Sequence, residues 1–217
     1  MMDSLLSGAG LDGARPERRL YGIALAQVVT NLDTTGQGRV QVRLPWLPGI
    51  QPWARVAVLG AGSQLGTYFM PQDGDEVLVA FHQGEVTDAY VIGCVWNGRD
   101  RSPATQSSDA VNRRLIRTPA GHEIALDEAQ RSITITSADK QRVSLTPNTI
   151  SVAISGDKTR VTLENSGAVT IEASQRLVLR APTIQLDSTN LEMGGRSSAR
   201  IDGGQACFIQ AGKVFIN

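Results

Sequence analysis

The residues that could carry chemistry are few and badly spaced for it. The two histidines are His82, in the turn-like word HQGE, and His122, in PAGHEIALDE. A metal centre or a nucleophile relay needs several such groups converging, and nothing in the spacing brings these two together. Three symmetry copies of one histidine would be the remaining route to a metal; a structural hydrogen bond is the simpler role. Asp75-Glu76 and Asp127-Glu128 resemble the paired carboxylates of a glycosidase. Neighbouring positions on a strand, however, point to opposite faces, and turns commonly hold such residues. The two cysteines, Cys94 and Cys207, give neither a disulfide framework nor metal-ligand spacing. Each lies in an apolar strand-like run and is expected to be a plain buried thiol. GAGSQLG, from Gly60 to Gly66, precedes no helical pattern, so it is not read as a phosphate cradle. Serine-hydrolase, P-loop and zincin motifs are missing. The sequence is therefore read as carrying no catalytic, cofactor or metal residues, and the question moves to what its strands build.

Lysine plus arginine and aspartate plus glutamate both number 21, so no net field gathers nucleic acid, an anionic membrane or an acidic substrate. The opening MMDSLLSGAGLDGARPERRL lacks the basic start and apolar core of a secretory signal, and no apolar run approaches a bilayer span. The expectation is a soluble protein made in the cytoplasm. Every tryptophan and tyrosine lies before Val111, and beyond it the aromatic residues are Phe208 and Phe215. The change falls in the turn-rich stretch WNGRDRSPATQSSDA. The expected division is an N-terminal tail at 1–20, a barrel domain at 21–98, a linker at 99–110 and a second domain at 111–217.

The first domain reads as all-β. GRVQVRL alternates strictly, with Val40, Val42 and Leu44 on one face and Arg39, Gln41 and Arg43 on the other. PWARVAVL repeats the pattern. QDGDEVLVAF and AYVIGCVW follow Gly-containing turns. About five short strands without helical periodicity predict a small Greek-key barrel of the OB type.

In the second domain apolar pairs recur. Their first members are Ile133, Val143, Val152, Val161, Val169, Leu177, Ile184, Leu191, Ala199, Cys207 and Val214; each partner lies two residues on, on the same strand face. A ribbon of this kind has a continuous apolar face and no second layer of its own. Left wet, about twenty such side chains would each forfeit on the order of 1.5–3 kcal/mol, against a net folding stability of about 5–15 kcal/mol. Three copies around a threefold axis cover the face, each strand's edges being paired by the other chains. The fold class expected is all-β, an N-terminal OB-fold barrel followed by a C-terminal intertwined triple-stranded β-helix in a homotrimer. The trimer core would include Val169, Ile171, Leu177, Leu179, Ile184 and Leu186, with Thr170, Glu172 and Arg180 outside. Ser155-Gly156, Ser166-Gly167, Gly194-Gly195 and Gly203-Gly204 would turn the corners. A single-chain β-solenoid is the structural rival.

GRVQVRLPW, PWARVAVLGAGSQLGTYFMPQDGDEVLVAF, HQGEVTDAYVIGCVWNG and TPAGHEIALDE stand in the order found in the central spike proteins of contractile injection machines. From about Gly22 to Asp127 the chain resembles phage baseplate assembly protein V, the phage central spike and the VgrG proteins of type VI secretion. The resemblance implies a structural spike seated on a baseplate hub, which pierces the target envelope when the sheath contracts. It implies assembly into a phage-like particle with outward delivery, and only transient contact with the target membrane. Departures are informative. The lysozyme of the phage spike would sit where only the linker lies, so no wall-degrading activity is implied. The hub of VgrG proteins would precede the barrel, so a separate hub protein is expected. The His-x-His iron motif of some spike tips does not occur in QACFIQAGKVFIN, so a PAAR-type tip protein is expected on Lys213, Val214, Phe215, Ile216 and Asn217. The rival from another class is an OB-fold protein binding single-stranded nucleic acid or oligosaccharide. It needs an exposed basic groove with stacking aromatics, which the neutral charge balance disfavours.

Overall fold

A computed structural model of the chain describes residues 19–104, 106–154 and 158–215. The expected tail falls largely outside them, as do the Ser155-Gly156 corner, Ile216 and Asn217.

The barrel is built from β1 (Ile23–Thr30), β2 (Arg39–Arg43), β3 (Trp53–Val56), a two-residue-per-strand hairpin β4 (Ala61–Gly62) and β5 (Leu65–Gly66), then β6 (Glu76–Phe81) and β7 (Ala89–Cys94). It closes in the order β1-β2-β3-β7-β6. With the hairpin set aside, this is the Greek-key order of an OB-like barrel. Every contact is antiparallel except β3 with β7, where Arg55 faces Tyr90 and Val56 faces Val91 in parallel register. Alternation decides the interior. Val40, Val42 and Leu44 are fully buried and pack with Ala26, Val77 and Val91, while the arginines of β2 face outward. A closed barrel leaves no strand edge free, so this unit satisfies its own backbone and covers its own core.

The segment after the barrel is pinned to it. The Asn97 side chain donates to Glu76 at 2.9 Å, and Arg99 donates to the Gly74 carbonyl at 3.2 Å. One helical turn, α1 (Asp109–Asn112), follows, with the buried Asp109 carboxylate accepting from the Gln106 N–H at 3.1 Å.

The second domain opens as a seven-stranded sheet whose order follows the sequence: β8 (Arg113–Arg117), β9 (Glu123–Asp127), β10 (Ser132–Thr136), β11 (Arg142–Leu145), β12 (Thr149–Ile154), β13 (Thr159–Glu164) and β14 (Val169–Ala173). Each strand pairs antiparallel with its neighbours in the same chain. This corrects the expectation that other copies would pair these strands. The physical reason lies in the turns. Arg131 (φ 50°), Lys140 (φ 65°) and Gly167 (φ 87°) adopt the left-handed conformation that reverses a strand within a few residues. Ser137 and Gln141 close one such turn through an N–H to carbonyl bond of 2.9 Å.

Beyond β14 the character changes. Residues 174–215 form no strand, and all of them are exposed. Among the described residues of this stretch, the backbone bond found is the turn from the Ala206 N–H to the Gly203 carbonyl, 3.2 Å. The path nevertheless has a period. A Cβ on Gly195 would lie 2.3 Å from the Ser198 carbonyl oxygen, and one on Gly203 would lie 2.4 Å from that of Ala206. Two close turns that only glycine permits thus stand eight positions apart (195 and 203), the same step as between Leu191 and Ala199.

Candidate functional site

The register of the seven-stranded sheet sorts its side chains into two faces. Ile133 stands opposite Leu126 and Leu145; Ile135 stands opposite Ile124 and Val143. Val143 meets Val152, and Leu145 meets Ile150. Val152 then meets Val161, and Ile150 meets Leu163; these continue to Ile171 and Val169. Directly opposed residues share a face, with Cβ atoms about 4.5–5.5 Å apart, so one apolar surface runs unbroken from Ile116 to Ile171. Among the described residues it lies largely open: Val143 is partly buried, and the exposure of the other members runs from 36% at Val161 to 65% at Val169. Surfaces of this extent on a soluble protein mark an interaction site.

The opposite face is polar. Arg113 and Arg117 approach Glu123 at 3.6 and 3.9 Å, and Arg160 meets Glu172 at 2.5 Å. Between them lie Thr134, Ser144, Ser151, Thr162 and Thr170, in cross-strand register. A sheet wet on one face and apolar on the other is half of a two-layer structure. Beside the edge strand β8 lies a cleft of about 380 Å³ lined by Phe69, Trp96, Pro103, Leu115, Ile116 and Arg117.

The expected core residues divide between the two regions. Val169 and Ile171 lie on β14 as part of the apolar face. Leu177, Leu179, Ile184 and Leu186 lie in the stretch without strands, each more than half exposed. Thr170 and Glu172 point to the polar face, opposite Thr162 and Arg160. Lys213, Val214 and Phe215 are exposed; Ile216 and Asn217 lie outside the described residues. Sequence reasoning missed Ile116, Ile124, Leu126 and Ile150 as members of the face, although the alternation of IRTPAGHEIAL and TISVAI carries them.

Of the residues weighed for chemistry, His122 takes the structural role: its Nδ1 accepts the Ala138 N–H at 3.2 Å, and its backbone closes a turn with Thr118. An accepting Nδ1 places the ring proton on Nε2. His82 Nδ1 lies 2.9 Å from Asp88, whose other oxygen accepts from Arg55 at 3.0 Å. Asp88, held by Arg55 first and His82 second, is kept below the ordinary carboxylate range. Asp33 is depressed further by the Arg39 guanidinium and the Thr35 hydroxyl, and it also accepts backbone N–H groups of its own loop. Both clusters lie on the outer face of β2, β3 and β7, where Arg39 stacks over Trp53 (5.5 Å) and Arg55 over Tyr90 (4.4 Å). Cys94 and Cys207 are both exposed in the single chain, which corrects the expectation of buried thiols. Cys94 is the last residue of β7, and Cys207 belongs to the strand-free stretch. Partial desolvation, and then the Asp75 charge, push the Cys94 thiol upward, away from the reactive thiolate. Among the described residues no cluster of three or more His, Cys, Asp or Glu side chains forms a metal-binding group. Nor does any helix among them have the length and apolarity to cross a membrane.

Fold and surface together define an OB-like barrel carrying a one-layer sheet built to be covered. Residues 24–96, the barrel from the second residue of β1 to just beyond β7, match the type VI secretion system/phage-baseplate injector OB domain. That match supports a role in the baseplate of an injection system. No curated protein matches the chain.

Proposed function

We propose that the protein is the central spike of a phage-tail-like contractile injection system. The barrel is the collar on a separate hub protein, and the second domain, in three copies, is the shaft that transmits sheath thrust to the target envelope. The observation that supports this most is the joining of an injector OB domain to a sheet with an uncovered apolar face. Roughly a dozen side chains, each about half exposed, leave on the order of 10 kcal/mol of burial unrealised per chain, as much as a typical domain's whole net stability of about 5–15 kcal/mol. Three sheets meeting face to face recover it and leave the Thr, Ser, Arg and Glu face outside. Such a shaft works by stiffness, because paired backbone and a packed axis contain no hinge, and it requires no reaction. Val214 and Phe215, both exposed, are the proposed seat of a PAAR-type tip protein.

A test is to express the chain with its neighbouring hub and tip genes and weigh the complex by native mass spectrometry. The reading predicts three copies of this chain with hub protein and one tip protein, and loss of the tip protein on deletion of Val214 to Asn217. A particle that assembles and fires without this chain would overturn it.

The arginine-stacked aromatics on β2, β3 and β7 favour one second reading, an OB barrel that binds single-stranded nucleic acid or oligosaccharide. Its weakness is that the faces of Trp53 and Tyr90 are already occupied by Arg39 and Arg55, which are themselves paired to Asp33 and Asp88. Retention of labelled single strands on a filter by the purified protein would favour it.

A further inference from the structure

The two regions of the second domain meet their backbone needs in different ways. From β8 to β14 every interior strand is paired on both sides within one chain, and what stays without a partner among the described residues is the apolar face and the outer edges of β8 and β14. Among the described residues, 174 to 215 join no strand ladder, yet the apolar pairs and glycine turns of this stretch keep step. An exposed extended backbone with period-2 apolar pairs can be paired only by other strands, and register is the hard part: a slip of one residue turns every apolar pair outward. The preformed sheet removes that problem. Its strands are locked by the ladder, so packing three apolar faces together sets the three chains level at β14 before any strand-free residue is engaged.

Building on the trimer reading above, we propose that residues 113–173 are the trimerisation and registration unit. Residues 174–215 pair only by winding onto the same residues of two further copies, progressively from β14 toward residue 215. The tether supplies the advantage: once three sheets are joined, each following segment meets its partners at the high effective concentration of a short linker. The two interfaces therefore differ in kind. The first is side-chain packing between finished sheets; the second is main-chain pairing between unfinished strands. Dependence runs one way, the distal stretch needing the sheet and the sheet not needing the distal stretch.

The experiment uses full-length protein as wild type, Ile135→Asp and Leu186→Asp, with light scattering for mass and hydrogen exchange for β10–β13 and 174–215. Wild type should be trimeric and protected in both regions. Leu186→Asp should remain trimeric with the sheet protected, while amides of 174–215 exchange at least about a hundredfold faster. Ile135→Asp should lose the trimer and the distal protection together. Should aspartate disturb the sheet itself, Ile135→Thr keeps a β-branched strand former at a position that is 46% exposed in the single chain. It should weaken association and raise distal exchange in proportion, whereas Leu186→Thr should raise distal exchange alone. Leu186→Asp protein that falls apart as fully as Ile135→Asp, or distal protection that survives in Ile135→Asp monomers, overturns the proposal while leaving the trimer standing. A monomeric wild type removes the trimer reading and this proposal with it.

Discussion

Val152 sits near the middle of the apolar face, between Val143 on β11 and Val161 on β13, and is 48% exposed in the single chain. Replacing it with aspartate separates the cost to the chain from the cost to the assembly. In one chain the new carboxylate faces water, and the loss is confined to strand preference, within about 1 kcal/mol. In a trimer it faces the dry axis. Each copy then loses about 1 kcal/mol of apolar coverage and strands an uncompensated buried charge at about 3–5 kcal/mol. Three copies give roughly 12–18 kcal/mol, and at 1.4 kcal/mol per decade the association constant falls by at least about eight orders of magnitude. Size-exclusion chromatography with light scattering should therefore find a folded monomer. Glu172→Ala, on the other face, loses an exposed ion pair with Arg160 and about 1 kcal/mol at most, so that variant should match wild type. Val152→Asp protein that remains trimeric would show that the face is not the interface and that the assignment of inside and outside is wrong.

Within the barrel, Leu44→Ala removes one of the largest fully buried side chains and should lower unfolding free energy by about 2–5 kcal/mol in urea melts; a change under about 0.5 kcal/mol would place it outside the core. Acid should destabilise the barrel with a definite sign. Asp33 and Asp88 are depressed in the fold, so their contribution is fully present above the ordinary aspartate value of about 4 and is lost as pH falls through their folded values. Asp33→Asn should flatten that dependence in melts taken from pH 5 downward through pH 2, and an unchanged slope would refute the assignment. Removing the imidazole of His122 should cost about 1 kcal/mol through the lost bond to the Ala138 N–H; hydrogen exchange at that amide reads it directly, and unchanged protection would contradict it.

The barrel was legible where side chains alternate. Val40, Val42 and Leu44 announce their face because a strand has period 2, and β2 has exactly one buried side. The parallel closure of β3 on β7 was not, since Arg55 and Tyr90 are neighbours only after the chain has closed. The same distance hides the Arg55, Asp88 and His82 cluster. In the second domain the apolar pairs told which face is dry but not which strand lies alongside. The turns that make β8–β14 a meander rely on left-handed Arg131 and Lys140, and neither carries the Asn-Gly or Asp-Gly signal that marks a tight hairpin. Hence pairing between copies was expected where pairing within the chain is found. The cysteines misled for a related reason: an apolar run implies burial only when something stands ready to cover it, and in a single chain nothing covers Cys207.

The central claim is that the apolar face is closed by two further copies of the same chain. The absolute mass of the purified full-length protein tests it most directly, by light scattering over a hundredfold range of concentration. The account predicts three times 23.2 kDa throughout. A folded species of 23.2 kDa, stable with the face of β8–β14 open to water, would contradict it.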